Sequence, residues 1–111
     1  MEEFVVGDVV AAYFPFSDLK GHKLRPALVL AEAEFNNVIL CQITSKPYSS
    51  KIAIKLSKDE FEQGGLPVIS YIRPDKLFTA DSSIIQKISG RLKTKKKHAV
   101  LTAVRKIFTE K

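Results

Sequence analysis

The sequence predicts a mainly β domain with helices, a small barrel covered by one C-terminal helix. Three observations lead there. The chain has 111 residues, the size of one domain, so a single domain over residues 1–111 is expected. Five or six short runs of branched and aromatic residues follow one another closely, divided by Gly, Pro and Asn, as in a barrel or sandwich. Helical periodicity is extended only near the C-terminus.

The first strand is expected over 9–14, after the turn pair Gly7-Asp8. Residues 27–31 and 38–43 are apolar runs separated by Asn36-Asn37, a hairpin buried on more than one side. Residues 51–56 alternate strictly, with one wet and one packed face. A fifth strand spans 68–72 and is expected to stop at Pro74. Residues 83–88 read as a sixth strand, although a helix also fits.

Ser57 and Glu60 have capping-box spacing, which predicts a short helix ended by Gly64-Gly65, with Phe61 turned inward. The long helix is expected from Thr94, with Val100, Ala103, Val104, Ile107 and Phe108 on its apolar face. Its first turn, Lys95-Lys96-Lys97, has the wrong sign for the helix dipole, at a cost of about 1 kcal/mol if exposed.

The net charge is +6. Residues 87–111 hold nine basic residues and one acidic residue, whereas residues 1–86 hold nine and eleven. This asymmetry fits a surface that meets an anionic partner, and equally a solvated lysine-rich helix. No apolar run exceeds about six residues, against the ~20 needed to cross a bilayer, so no membrane contact is expected. Met1-Glu2-Glu3 lacks the features of a secretory leader, and the single cysteine, Cys41, cannot form an internal disulfide. These features predict a cytoplasmic protein.

Most catalytic chemistries find no residues here. His22, His98 and Cys41 have no metal-ligand spacing, and there is no glycine-rich phosphate loop or nucleophile elbow. Neither a metal nor a cofactor is therefore expected. Cys41, central in an apolar strand, reads as core.

Polar groups instead gather at strand ends. Arg25 precedes Pro26 at a strand mouth, after a loop with Ser17, Asp18, Lys20, His22 and Lys23. Thr44, Ser45 and Lys46 follow the strand over 38–43, and Arg73 and Asp75 flank Pro74. Guanidinium, hydroxyl and carboxylate groups on a rigid scaffold suit phosphate chemistry. Taken singly they also suit a structural Arg25–Asp75 ion pair and a Thr44-Ser45 turn.

Four ordered motifs give these residues a family likeness: Gly7-Asp8-Val9-Val10, Leu24-Arg25-Pro26-Ala27-Leu28-Val29-Leu30, Ile43-Thr44-Ser45 and Ile72-Arg73-Pro74-Asp75. Together they resemble the MazF/PemK (Kid) toxins of type II toxin-antitoxin systems, as a divergent PemK-like branch. The resemblance implies an SH3-like β-barrel of the CcdB/MazF type and a homodimer. It also implies metal-independent cleavage of single-stranded mRNA at short sequences. The partner it implies is a cognate antitoxin whose acidic flexible tail fills the RNA groove.

Position by position, the family's essential arginine and threonine match Arg25 and Thr44, with Ser45 following as in PemK. Arg73 and Asp75 match the PemK arginine and aspartate. Two segments depart from the pattern. The loop before Arg25 lacks the Gly-Ser-Glu-Gln or Gly-His-Glu-Gln stretch, and the family's Arg-Thr-Ile-Asp stands here as Phe78-Thr79-Ala80-Asp81.

Metal-free cleavage by a neighbouring 2′-hydroxyl needs a base, an acid and cations for the charge building on phosphorus. Arg25 suits that charge, because its fork matches phosphate oxygens. Thr44 suits a nonbridging oxygen, and Asp75 the base, with Arg73 as clamp. Ser17, Lys20, His22, Ser45 and Lys46 are the expected substrate contacts, His22 also being able to protonate the leaving oxygen. Phe14, Phe16 and Tyr48 lie near these loops and are candidates for base stacking, although Phe14 reads as core. Two other readings share the fold: a noncatalytic barrel that binds nucleic acid or a protein partner, and a CcdB-like topoisomerase poison.

Overall fold

Residues 4–14, 23–47 and 50–109 are described by a computed structural model of the chain. Among them are β1 (Asp8–Phe14), β2 (Lys23–Glu32), β3 (Asn37–Thr44) and β4 (Ile54–Leu56). Then come β5 (Phe61–Gly64), β6 (Ser70–Asp81), β7 (Ile85–Leu92) and α1 (Thr94–Ile107). The strands form one antiparallel sheet in the order β4-β6-β3-β2-β1-β7-β5, curled into a half-barrel. This is the mainly β fold with a C-terminal helix that the sequence predicts.

Strand alternation sends side chains to two cores, one on each face of the sheet. Val9, Leu28, Cys41, Ile43 and Ile72 pack on one face, where Val100, Leu101 and Val104 of α1 cover them. Val10, Ala12, Ala27, Val29 and Leu40 fill the other. There Phe14 meets Phe78 edge-on with ring centroids 4.8 Å apart, so Phe14 is core and not a stacking platform. The helix buries less than its periodicity suggests, since Ile107 and Phe108 are exposed.

Several elements differ from expectation. The capping box at Ser57 forms, with the Glu60 carboxylate accepting from the Ser57 N–H at 2.8 Å. It starts only a 3₁₀ turn at Lys58–Glu60, and the chain then enters β5. Pairing of β5 with β7 overrides the local helix signal. The strand expected over 51–56 is ordered as β4 only from Ile54.

Pro74 does not end its strand. Between the pairs Ile43–Ile72 and Cys41–Leu77, β6 carries three more residues than β3 does, so Pro74 lies buried in a bulge that needs no ladder bond from it. Residues 82–84 form a 3₁₀ turn and β7 begins at Ile85, later than the strand read from sequence. Lys93, not Thr94, is the N-cap of α1. The lysine run is partly compensated: Lys96 pairs with Glu60 at 2.7 Å, and the stem of Lys97 crosses Gly7. No helix among the described residues is long and apolar enough to cross a membrane.

Candidate functional site

The site originates where β2 and β3 part. Their pairing runs down to Ala27–Gln42 and stops there. Continued by two residues, the register would set Arg25 opposite Thr44. The Gly7 N–H donates to the Val29 carbonyl at 3.0 Å, so Val29 turns its backbone toward β1. Alternation along β2 then turns Pro26 toward β3, and its missing N–H ends that ladder. A groove of about 420 Å³ opens at the break, and Arg25, Thr44, Ser45 and Lys46 line it.

Its chemistry is cationic and hydroxylic. No acidic residue is among the described lining, which also includes Ser70 and Ser89. The Nε of Arg25 is buried without a hydrogen-bond partner among the described residues. An orphaned buried donor costs about 1–3 kcal/mol, a penalty that an incoming anion would relieve. The Thr44 hydroxyl oxygen accepts from the Lys46 N–H at 3.2 Å, leaving its own hydrogen able to donate to a ligand.

Arg73 and Asp75 lie outside this lining and bind each other in a two-pronged ion pair. Nε donates to one carboxylate oxygen at 3.0 Å and Nη2 to the other at 2.8 Å. Asp75 therefore pairs with Arg73, not with Arg25. The Arg73 hydrogen bonds hold the Asp75 carboxyl below the usual carboxylate range and raise the guanidinium. The buried Cys41 thiol donates to the Arg73 carbonyl at 2.8 Å, pinning the bulge to β3. Burial, aided by the Asp75 charge, pushes that thiol up to about 12, consistent with its reading as core.

Ser17, Lys20 and His22, with Asp18, Phe16 and Tyr48, lie outside the described residues. Sequence reasoning did not single out Ser70, Ser89 or the stretch Leu66-Pro67-Val68, all of which line the groove. No sequence signal marks them, because pairings between distant segments bring them in: β5 with β7 for Ser89 and the start of the loop, and β4 with β6 for Ser70. Among the described residues no group of three or more His, Cys, Asp or Glu is placed to hold a metal ion.

Residues 6–108 match the family of PemK-like, MazF-like toxins of type II toxin-antitoxin systems, and the chain belongs to that family. No match was found among curated protein sequences. Solved structures show the same fold at low identity. Deinococcus radiodurans MazF superposes with a TM-score of 0.70 at 19% identity, over 92% of this chain and 93% of that one. Mycobacterium tuberculosis toxin MazF-mt6 gives 0.71 at 19%, over 91% and 95%. A mycobacterial endoribonuclease in complex with its cognate antitoxin gives 0.71 at 15%, over 96% and 93%.

Proposed function

We propose that this protein is a metal-independent endoribonuclease toxin that cuts single-stranded RNA and is neutralised by an antitoxin with an acidic tail. The observation that carries the reading is the groove itself: the Arg25 Nε, buried and without a hydrogen-bond partner among the described residues, shares the groove with Thr44 and Lys46, and no acid is in the described lining. Such a site attracts phosphate, and an acidic tail would compete for the same cations. The fold likeness to an endoribonuclease bound to its antitoxin supports the reading. The protein then acts as a homodimer, as the family resemblance implies, and in the cytoplasm, as its composition and single cysteine suggest.

In the proposed reaction a ribose 2′-oxygen attacks the adjacent phosphorus and the bond to the 5′-oxygen breaks. The products are a 2′,3′-cyclic phosphate and a 5′-hydroxyl. Arg25 stabilises the charge on the phosphorane, and Thr44 donates to a nonbridging oxygen. Asp75 takes the 2′-hydroxyl proton. Arg73 keeps it ionised but also weakens it as a base, so charge stabilisation carries most of the rate. His22 returns a proton to the leaving 5′-oxygen, while Ser17, Lys20, Ser45 and Lys46 hold the strand.

The test is cleavage of a long single-stranded RNA in EDTA by the parent protein, Arg25→Ala and Thr44→Ala. Discrete cuts that fall about 10²–10³-fold in either variant are expected. Intact RNA with all three proteins folded would refute the enzyme. It would favour the noncatalytic binding module, to which the self-satisfied Arg73–Asp75 pair outside the groove lends support.

A further inference from the structure

The groove is only partly polar. Leu66, Pro67 and Val68, in the loop between β5 and β6, supply an apolar part of its lining. Val68 remains 57% exposed. Pro67 and Ile69 on either side of it are exposed too, so the loop shows an adjoining apolar patch rather than a lone side chain.

The loop is held at both ends. Gly64 has φ +71°, and a Cβ there would stand 2.2 Å from the Ser89 carbonyl oxygen, so only glycine allows β5 to lie this close to β7. The next N–H, of Gly65, donates to that same oxygen at 3.2 Å. At the far end the buried Ser70 hydroxyl donates to the Val68 carbonyl at 3.0 Å. The surface is thus formed before any ligand arrives, and the Ser70 hydrogen is already committed.

We infer that Leu66, Pro67 and Val68 form the nucleobase-contacting surface of the groove, against which a base of single-stranded RNA lies while its phosphate is held at Arg25 and Lys46. This deepens, and rests on, the endoribonuclease reading above. A nucleotide pairs an anion with a flat, weakly polar ring, and this groove offers cations and an apolar surface together. Its volume is within the ~300–1,000 Å³ of small-ligand sites. With Ser70 committed to Val68, recognition here works by shape and apolar contact, which selects among bases modestly.

Val68→Ser tests the assignment with three readouts. Cut sites are sequenced in a random single-stranded RNA pool in EDTA. Binding of a short RNA is compared with that of the same RNA lacking one base, and particle mass is measured by sedimentation. The expected result is that base preference at one position beside the cut, and the affinity gap between intact and abasic RNA, each fall about tenfold.

Unchanged preference and an unchanged gap would overturn the inference while leaving the endoribonuclease standing. A parent protein that cuts nothing would sink the endoribonuclease reading; the intact–abasic gap then decides the surface alone, and no gap in the parent overturns it. A particle mass halved by Val68→Ser would assign the loop to contact between two copies of the chain and also overturn it.

Discussion

Replacing Gly90 by alanine should be among the costliest single-methyl additions in this protein. A Cβ at Gly90 would lie 2.7 Å from the Gln63 carbonyl oxygen, 2.8 Å from Phe61 Cδ2 and 2.9 Å from the Gly65 nitrogen. Comfortable contacts need about 3.5 Å or more, so three atoms must each give by more than half an ångström. Two belong to backbone and the third to a buried core ring. β5 cannot retreat without breaking its ladder to β7, where Gly64 faces Gly90 and Phe61 faces Leu92. The cost should reach the top of the overpacking range, about 3 kcal/mol, or about 12 °C in Tm for a chain of this size. Urea unfolding and calorimetry measure it. Gly65→Ala is the control: the nearest atom to its Cβ is Lys58 Cγ at 3.9 Å, so that variant should be neutral or stabilised by about 0.5 kcal/mol. Gly90→Ala within about 0.5 kcal/mol of the parent, or Gly65→Ala equally costly, would refute the close-approach argument.

Other outcomes follow from the same geometry. Cys41, with its thiol raised to about 12, should be alkylated at pH 8 roughly a thousandfold more slowly than a free thiol of pKa about 8.5; a rapid reaction in the folded protein would show that the thiol is not sealed. Asp75 is depressed by the Arg73 hydrogen bonds; at Glu60 burial pushes upward, but bonds from Lys96 and Ser57 outweigh it. Stability from both is fully present above the unfolded carboxylate range near pH 4 and is lost as pH falls through the lower folded values. Urea midpoints from pH 7 to 2 should fall over that window, and in Arg73→Ala the Asp75 carboxyl should titrate back in the ordinary range by NMR. Val100→Ala, at a residue with no exposed surface, should cost about 2 kcal/mol in urea unfolding.

Much of this protein is legible locally. The branched runs that became β1, β2 and β3, the amphipathic helix and the Ser57–Glu60 cap all rest on signals within a few residues of chain. Arg25, Thr44, Arg73 and Asp75 could be singled out because they sit in short motifs. Their mutual geometry could not. The reading of 57–65 as a helix failed because it depended on a cap whose energy is about 1 kcal/mol, less than a paired strand with Phe61 buried contributes. The stop at Pro74 failed for a related reason, since a bulge removes the need for the bond that proline cannot make.

By its own periodicity and motifs, then, the sequence determined the fold class, the C-terminal helix and which polar residues stand at strand ends. Only the tertiary structure decided how those ends meet. The β2–β3 ladder ends at Ala27–Gln42, and beyond it Arg25 and Thr44 line one groove, where the missing N–H of Pro26 lets their strands part. A bulge turns Arg73 and Asp75 onto each other, and two glycines bring β5 against β7 to complete the groove. Such choices depend on contacts between residues tens of positions apart, and on steric clearances of less than an ångström that no local pattern encodes.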